Sequence, residues 1–141
     1  STLHNIRRPS IMASELRVNT LKDAAGNNSI ATSFVAGGSA KAWVDFNGSG
    51  TVAIRDSFSV SSITDNGTSD YTTTFASAMS NDDFAVSAQS TSTGAGYICN
   101  APKNAASGSI STTIIRSIGI DFNGNTNDHE FVHHIIHGDL A

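Results

Sequence analysis

The stretch Ala40-Lys-Ala-Trp-Val-Asp-Phe46, followed by Asn47-Gly-Ser-Gly50, decides the fold. Ala40, Ala42, Val44 and Phe46 alternate with Lys41, Trp43 and Asp45, the period of a strand whose successive side chains face opposite sides of a sheet. The Asn-Gly-Ser-Gly run supplies the backbone freedom of a hairpin turn, so a second strand is expected from Thr51. Trp43 breaks the polar-out rule, because it shares its face with Lys41 and Asp45 rather than with Ala42 and Val44. A large aromatic in that position reads as an exposed anchor or an interface residue.

The same pattern extends in both directions. Upstream, Leu16, Val18 and Thr20 alternate with Glu15, Arg17 and Asn19, the run from Asp23 to Asn28 has turn chemistry, and Ile30 to Val35 reads as extended before Gly37-Gly38 breaks it. Downstream, Ile54 to Ile63 reads as one extended segment carrying Phe58, Val60 and Ile63. Asp65-Asn-Gly-Thr68 is the strongest hairpin signal in the chain and leads into Tyr71, Thr73 and Phe75. Further strands are expected over Phe84 to Ser90, Tyr97 to Asn100, Ile110 to Phe122 and Phe131 to His137. This spacing predicts an all-β fold, an antiparallel β-sandwich of jelly-roll-like type with about nine strands. Residues 1–13 lack alternation and contain Arg7-Arg8-Pro9, so they are expected to form an extended N-terminal arm, with residues 14–141 as the sandwich domain.

A chain of 141 residues is one domain by length, and Ser, Thr, Asn and Gly fill much of what 38% hydrophobic and 14% charged residues leave. That mixture suits polar-faced strands and tight turns. The net charge is −4, with no basic run beyond Arg7-Arg8, which argues against a nucleic-acid partner. The single cysteine, Cys99, rules out a disulfide within one chain and reads as a small core residue. No window reaches the length of a membrane span, and the N-terminus lacks the apolar core of a secretory signal, so a soluble protein made in a cytoplasm is expected. Ser1 is the kind of residue exposed when an initiator Met is removed; alternatively Met12 is the start and the first eleven residues are an extension.

The candidate chemistry is sparse. Asp121-Phe-Asn-Gly-Asn-Thr-Asn-Asp128 begins like a calcium loop, but Thr126 stands where the turn glycine belongs and Val132 where the bidentate Glu belongs, so a polar hairpin is the better reading. Val44-Asp-Phe-Asn-Gly48 recurs as Ile120-Asp-Phe-Asn-Gly124, which reads as a repeated turn closure. Four of the five histidines crowd the C-terminus. In an extended strand His129, His133 and His137 share a face with Ile135, while His134 points the other way with Val132 and Ile136. Positions four apart in a strand lie roughly 13 Å apart, so one chain cannot chelate a metal with them, although a three-fold axis could gather copies of one histidine. No G-x-S-x-G elbow is present, and the carboxylates Asp82-Asp83 and Asp128 to Glu130 sit at turns. The Asn-x-Ser/Thr triplets at Asn27, Asn47 and Asn66 lie in turns that want Asn for backbone geometry. No catalytic residue, cofactor or resident metal is expected.

Ser14 to Asn28, Ala40-Lys-Ala-Trp-Val to Arg55-Asp-Ser-Phe58, Ser61 to Thr68 and the terminal Gly138-Asp139 together resemble a domain found in tail-fibre and related virion proteins of marine tailed bacteriophages, cyanophages especially. The resemblance covers most of the chain from about Ser14. It implies a non-enzymatic β-sandwich at the tail or capsid surface of a virion, either a fibre-type module binding the host surface or a decoration protein that stabilises the particle. On that reading the loops at Asn47, Asn66, Asn123 and Asn125 are candidates for contact with host envelope glycan or protein, and the arm for contact with other virion proteins. Trp43, His133 and His137 are candidates for a homotrimer interface without membrane insertion. Light scattering should then find a trimer that Trp43→Ala loosens before it unfolds, with association weakening below about pH 6 as the histidines become charged in a poorly solvated contact. A monomer at every concentration would contradict it.

Overall fold

The computed structural model describes residues 16–92, 95–102, 109–121 and 123–141. The expected arm over residues 1–13, Ser14 and the side chain of Cys99 fall outside the described residues. The chain forms two compact units that divide between Val35 and Ala36. In the first, β1 (Thr20–Lys22) pairs antiparallel with β2 (Ser29–Ala31). The Asp23 carboxylate closes their turn by accepting the backbone N–H of Asn27 at 2.9 Å and the side-chain amide of Asn28 at 2.7 Å. These hydrogen bonds hold the Asp23 pKa below the usual carboxylate value. Helix α1 (Thr32–Gly38) follows.

The second unit is a nine-stranded antiparallel sheet. Its strands are β3 (Ala42–Asn47), β4 (Ala53–Phe58), β5 (Val60–Gly67), β6 (Asp70–Phe75), β7 (Ala85–Ser92), β8 (Ala95–Pro102), β9 (Ile110–Ser111), β10 (Ile114–Asp121) and β11 (Phe131–His137). They run in the order β4-β3-β11-β7-β8-β10-β6-β5, with β9 beside β10. The sheet folds over so that the inner face of β3 and β11 meets that of β6 and β10, as the edge-on contact of Phe46 with Tyr71 at 5.2 Å records. The result is the expected sandwich, and its jelly-roll-like feature is that the first and last strands of the unit, β3 and β11, lie side by side.

Several elements are shorter than their periodicity predicts. The segment from Ile54 to Ile63 is two strands, because Ser59 adopts a φ of 54° and turns the chain from β4 into β5. The run from Ile110 is also two strands, folded at Thr112-Thr113, where the Ser111 hydroxyl accepts the Thr113 N–H at 3.3 Å. Only Thr20–Lys22 of the first alternating stretch pairs, since a strand needs a neighbour and β2 offers three residues. Ile30 to Val35 begins as β2 and turns helical at Thr32, whose hydroxyl donates back to the Val18 carbonyl at 3.1 Å.

The core follows from the alternation. Ala42, Phe75, Met79, Ile115 and Ile136 form one apolar cluster, and Val44, Phe46, Tyr71 and Val132 another. Between them lies a polar bridge. His134, fully buried, meets the Thr73 hydroxyl through Nδ1 at 2.9 Å and the Ser117 hydroxyl through Nε2 at 3.0 Å. A neutral imidazole has one donor and one acceptor nitrogen, and hydroxyls can answer either, so both ring nitrogens are satisfied without a charge in the core. Burial, with a smaller push from neighbouring His133, holds its pKa down at about 4.

This depression sets a pH dependence. In the unfolded chain His134 takes up a proton near pH 6.5, while in the fold it resists until about 4, so its stabilisation is complete above 6.5 and lost as pH falls through that interval. The loss from this ring is about 3 kcal/mol. His129, also lowered by burial against the opposing pull of Asp128 and Asp121, adds in the same direction. Calorimetry should show the melting temperature falling from pH 7 to pH 4, with His134→Leu less stable at pH 7 but shallower in slope; an unchanged slope in the variant would contradict it.

Candidate functional site

Because the even-numbered residues of β3 and β11 point inward, the odd-numbered ones form a continuous outer face. In-register pairing sets them in rows across four strands. One row is Phe58, Trp43, Ile135 and Ser87; the next is Asp56, Asp45, His133 and Gln89. The first is largely apolar and open, with Phe58 55% and Ile135 42% exposed. The second is polar throughout. The rows lie roughly 7 Å apart along the strands and neighbouring strands about 4.8 Å apart. Trp43, Asp45, His133, Ile135 and Gln89 line a shallow depression of about 460 Å³ over β3, β11 and β7.

A β-bulge shapes one side of this face. Asp45 pairs with Asp56 and Phe46 with Ile54, which leaves Arg55 as the extra residue. Its guanidinium crosses β3 and β11, donating to the carbonyls of Phe46 at 3.1 Å and Glu130 at 2.5 Å and stacking 4.3 Å over the Phe131 ring. It also pairs with the Asp45 carboxylate at 3.3 Å, and His133 Nδ1 lies 3.6 Å from the same oxygen. Each pair is open to water and contributes little stability, about 0–1 kcal/mol. Their effect is to fix the direction of Asp45. Among the described residues, neither the Trp43 indole N–H nor the Gln89 amide is given a hydrogen-bond partner.

The four loop asparagines also come together, at one end of the sandwich. Asn47 ends β3 at the β3–β4 turn, Asn66 lies in the β5–β6 hairpin, and Asn123 and Asn125 lie in the β10–β11 loop. Asp128 ties the three loops, accepting the Ser69 N–H at 2.8 Å and sharing the single Tyr71 hydroxyl proton, 3.1 Å away, with the Gly48 carbonyl at 2.6 Å. Burial first, and then the charge of Asp128, pushes the Tyr71 hydroxyl pKa well up, so it stays a donor. The asparagine amides are largely spent within their own turns. Asn47 donates to the Ser49 and Thr51 carbonyls, Asn66 to the Thr72 hydroxyl, and Asn125 to the Asp121 carboxylate. Asp121 in turn accepts the backbone N–H groups of Asn123 and Asn125, so the calcium-like stretch is a self-closed turn.

No protein-family model, curated protein or solved structure matches the chain. The site is therefore read from its own chemistry. Trp43, His133 and His137, expected together, do share the outer face of the β3–β11 pair. His129 does not join them. The strand begins only at Phe131, and His129 is buried at the loop end, where its ring lies against Gly119. Sequence reasoning missed Gln89 and Phe58, which only the strand order brings beside His133 and Trp43. Ser117 and His134 have the contact of a nucleophile and its base, but both are fully buried and Thr73 holds the second ring nitrogen, so no substrate carbonyl can reach them.

Gly48 is a tight point of the loop end. A Cβ there would stand 2.6 Å from the Tyr71 hydroxyl and 2.8 Å from the His129 carbonyl oxygen. Gly48→Ala should cost about 1–3 kcal/mol in urea unfolding, the usual penalty of overpacking. A variant as stable as the parent would show that the loops are not fastened through Tyr71.

Proposed function

We propose that the chain is a non-enzymatic, fibre-type module of a phage virion that meets the host surface through the outer face of β4, β3, β11 and β7. The observation that supports this is the apolar row of exposed Phe58 and Ile135 with half-buried Trp43 between them, laid beside the polar row of Asp45, His133 and Gln89. Soluble domains rarely expose large apolar side chains in register without a partner to cover them. At the loop end the side-chain amides of Asn47, Asn66 and Asn125 are engaged locally, so these three contribute shape more than free hydrogen-bonding groups. Assembly as a homotrimer through another surface, with the Trp43–His133 face turned outward rather than buried between copies, would multiply individually weak contacts. The resemblance carried by the Lys41-Ala-Trp-Val44 and Arg55-Asp-Ser-Phe58 segments gives the virion setting.

A second reading, a decoration protein of capsid or tail, is favoured by Phe131, which extends the exposed apolar surface of this face toward what a neighbouring subunit could cover. Gold-labelled antibody to the chain, imaged on intact particles, separates the two. Label at the fibre tips is expected; label confined to the head would replace the fibre reading with the decoration one, and particles without label would remove the virion setting altogether.

A further inference from the structure

The depression on the outer face has the composition of a sugar subsite. We propose that it binds a neutral pyranose, stacked on Trp43 and hydrogen-bonded along the Asp45–His133–Gln89 row. This rests on the reading of the chain as a surface-binding module and names the ligand class of that face.

A pyranose has an apolar face of C–H groups and a rim of hydroxyls, so it needs an aromatic or aliphatic floor with polar groups at its edge. Trp43 and Ile135 are paired across β3 and β11 and supply the floor. Asp45, His133 and Gln89 occupy the next row on the same face and supply the edge. The groups are chemically matched to hydroxyls. The Asp45 carboxylate accepts, the Gln89 amide and the His133 ring each donate and accept, and the Trp43 N–H donates. Arg55 holds the carboxylate in place from the far side at 3.3 Å. The volume of about 460 Å³ lies in the range of small-ligand sites, roughly 300–1,000 Å³.

Charge selects among occupants. Asp45 and Asp56 stand opposite one another on β3 and β4, against the single guanidinium of Arg55. That excess of negative charge disfavours uronic and sialic acids. It also disfavours a second copy laid face to face, which would bring the same carboxylates toward its own. A neutral sugar meets neither penalty, and its hydroxyls replace water on Asp45 and on the open amide of Gln89.

Trp43 is the only tryptophan in the chain, so its emission reports the site directly. The full chain is titrated with D-glucose, D-galactose, D-mannose and N-acetylglucosamine, with D-glucuronate as the charged control. Expected is a saturable change in emission with at least one neutral sugar, weaker with glucuronate. Gln89→Ala, at an exposed position with no hydrogen-bond partner to lose among the described residues, should weaken binding about five-fold, the loss of one hydrogen bond. The proposal is overturned if none of the four sugars gives saturation, or if Gln89→Ala binds as tightly as the parent. It is also overturned if the emission follows protein concentration and ignores sugar, the sign of a second copy on this face. Fibre labelling without sugar binding would leave the module reading standing and remove only the ligand.

Discussion

The structure depends on one buried imidazole. His134 on β11 reaches across the sandwich to Thr73 on β6 and Ser117 on β10, the one place where the described hydrogen bonds show a side chain joining the two layers through both of its polar atoms. Apolar contacts on either side would accept many small slips in register, because hydrophobic burial is not directional. A ring with two fixed hydrogen bonds does not. If β11 slipped so that Ile135 took the place of His134, Thr73 and Ser117 would lose their partner and His133 would enter the apolar cluster at the Val132 position with unanswered nitrogens, a cost of about 1–3 kcal/mol for each buried unpaired group.

Fixing that register also determines the outer face. Strand side chains alternate strictly, so holding Val132, His134 and Ile136 inside places His133 and Ile135 outside. Pairing to β3 then sets Ile135 beside Trp43 and His133 beside Asp45, and pairing to β7 adds Gln89. The bulge at Arg55 restores the remaining alignment by dropping one residue from the β4 ladder. Core and outer face are thus two sides of the same constraint.

Much of this was legible in the sequence, for reasons that differ between residues. The period of Ala40 to Phe46 and of Phe131 to His137 placed their inner and outer faces correctly, because alternation is a local property. Local chemistry also gave the turns at Asn47-Gly48 and at Asp65 to Thr68. Where a strand stops was less visible. Ser59 in the left-handed region is uncommon for a residue other than glycine, and nothing in Ile54 to Ile63 announces the corner. Partners far apart in the chain were not visible at all. His134 could be read as inward, yet Thr73 lies 61 positions away and is chosen by topology. Gln89 and Phe58 enter the candidate site by the same route.

The most direct test of the account is nitrogen-15 NMR of the histidine side chains across pH. The account predicts that His134 shows a neutral ring with a slowly exchanging N–H, engaged at both nitrogens, that does not titrate until about pH 4. A His134 ring that titrates near the ordinary value of about 6.5 and exchanges its proton freely with water would contradict it, and with it the register that places Trp43, His133 and Gln89 on one face.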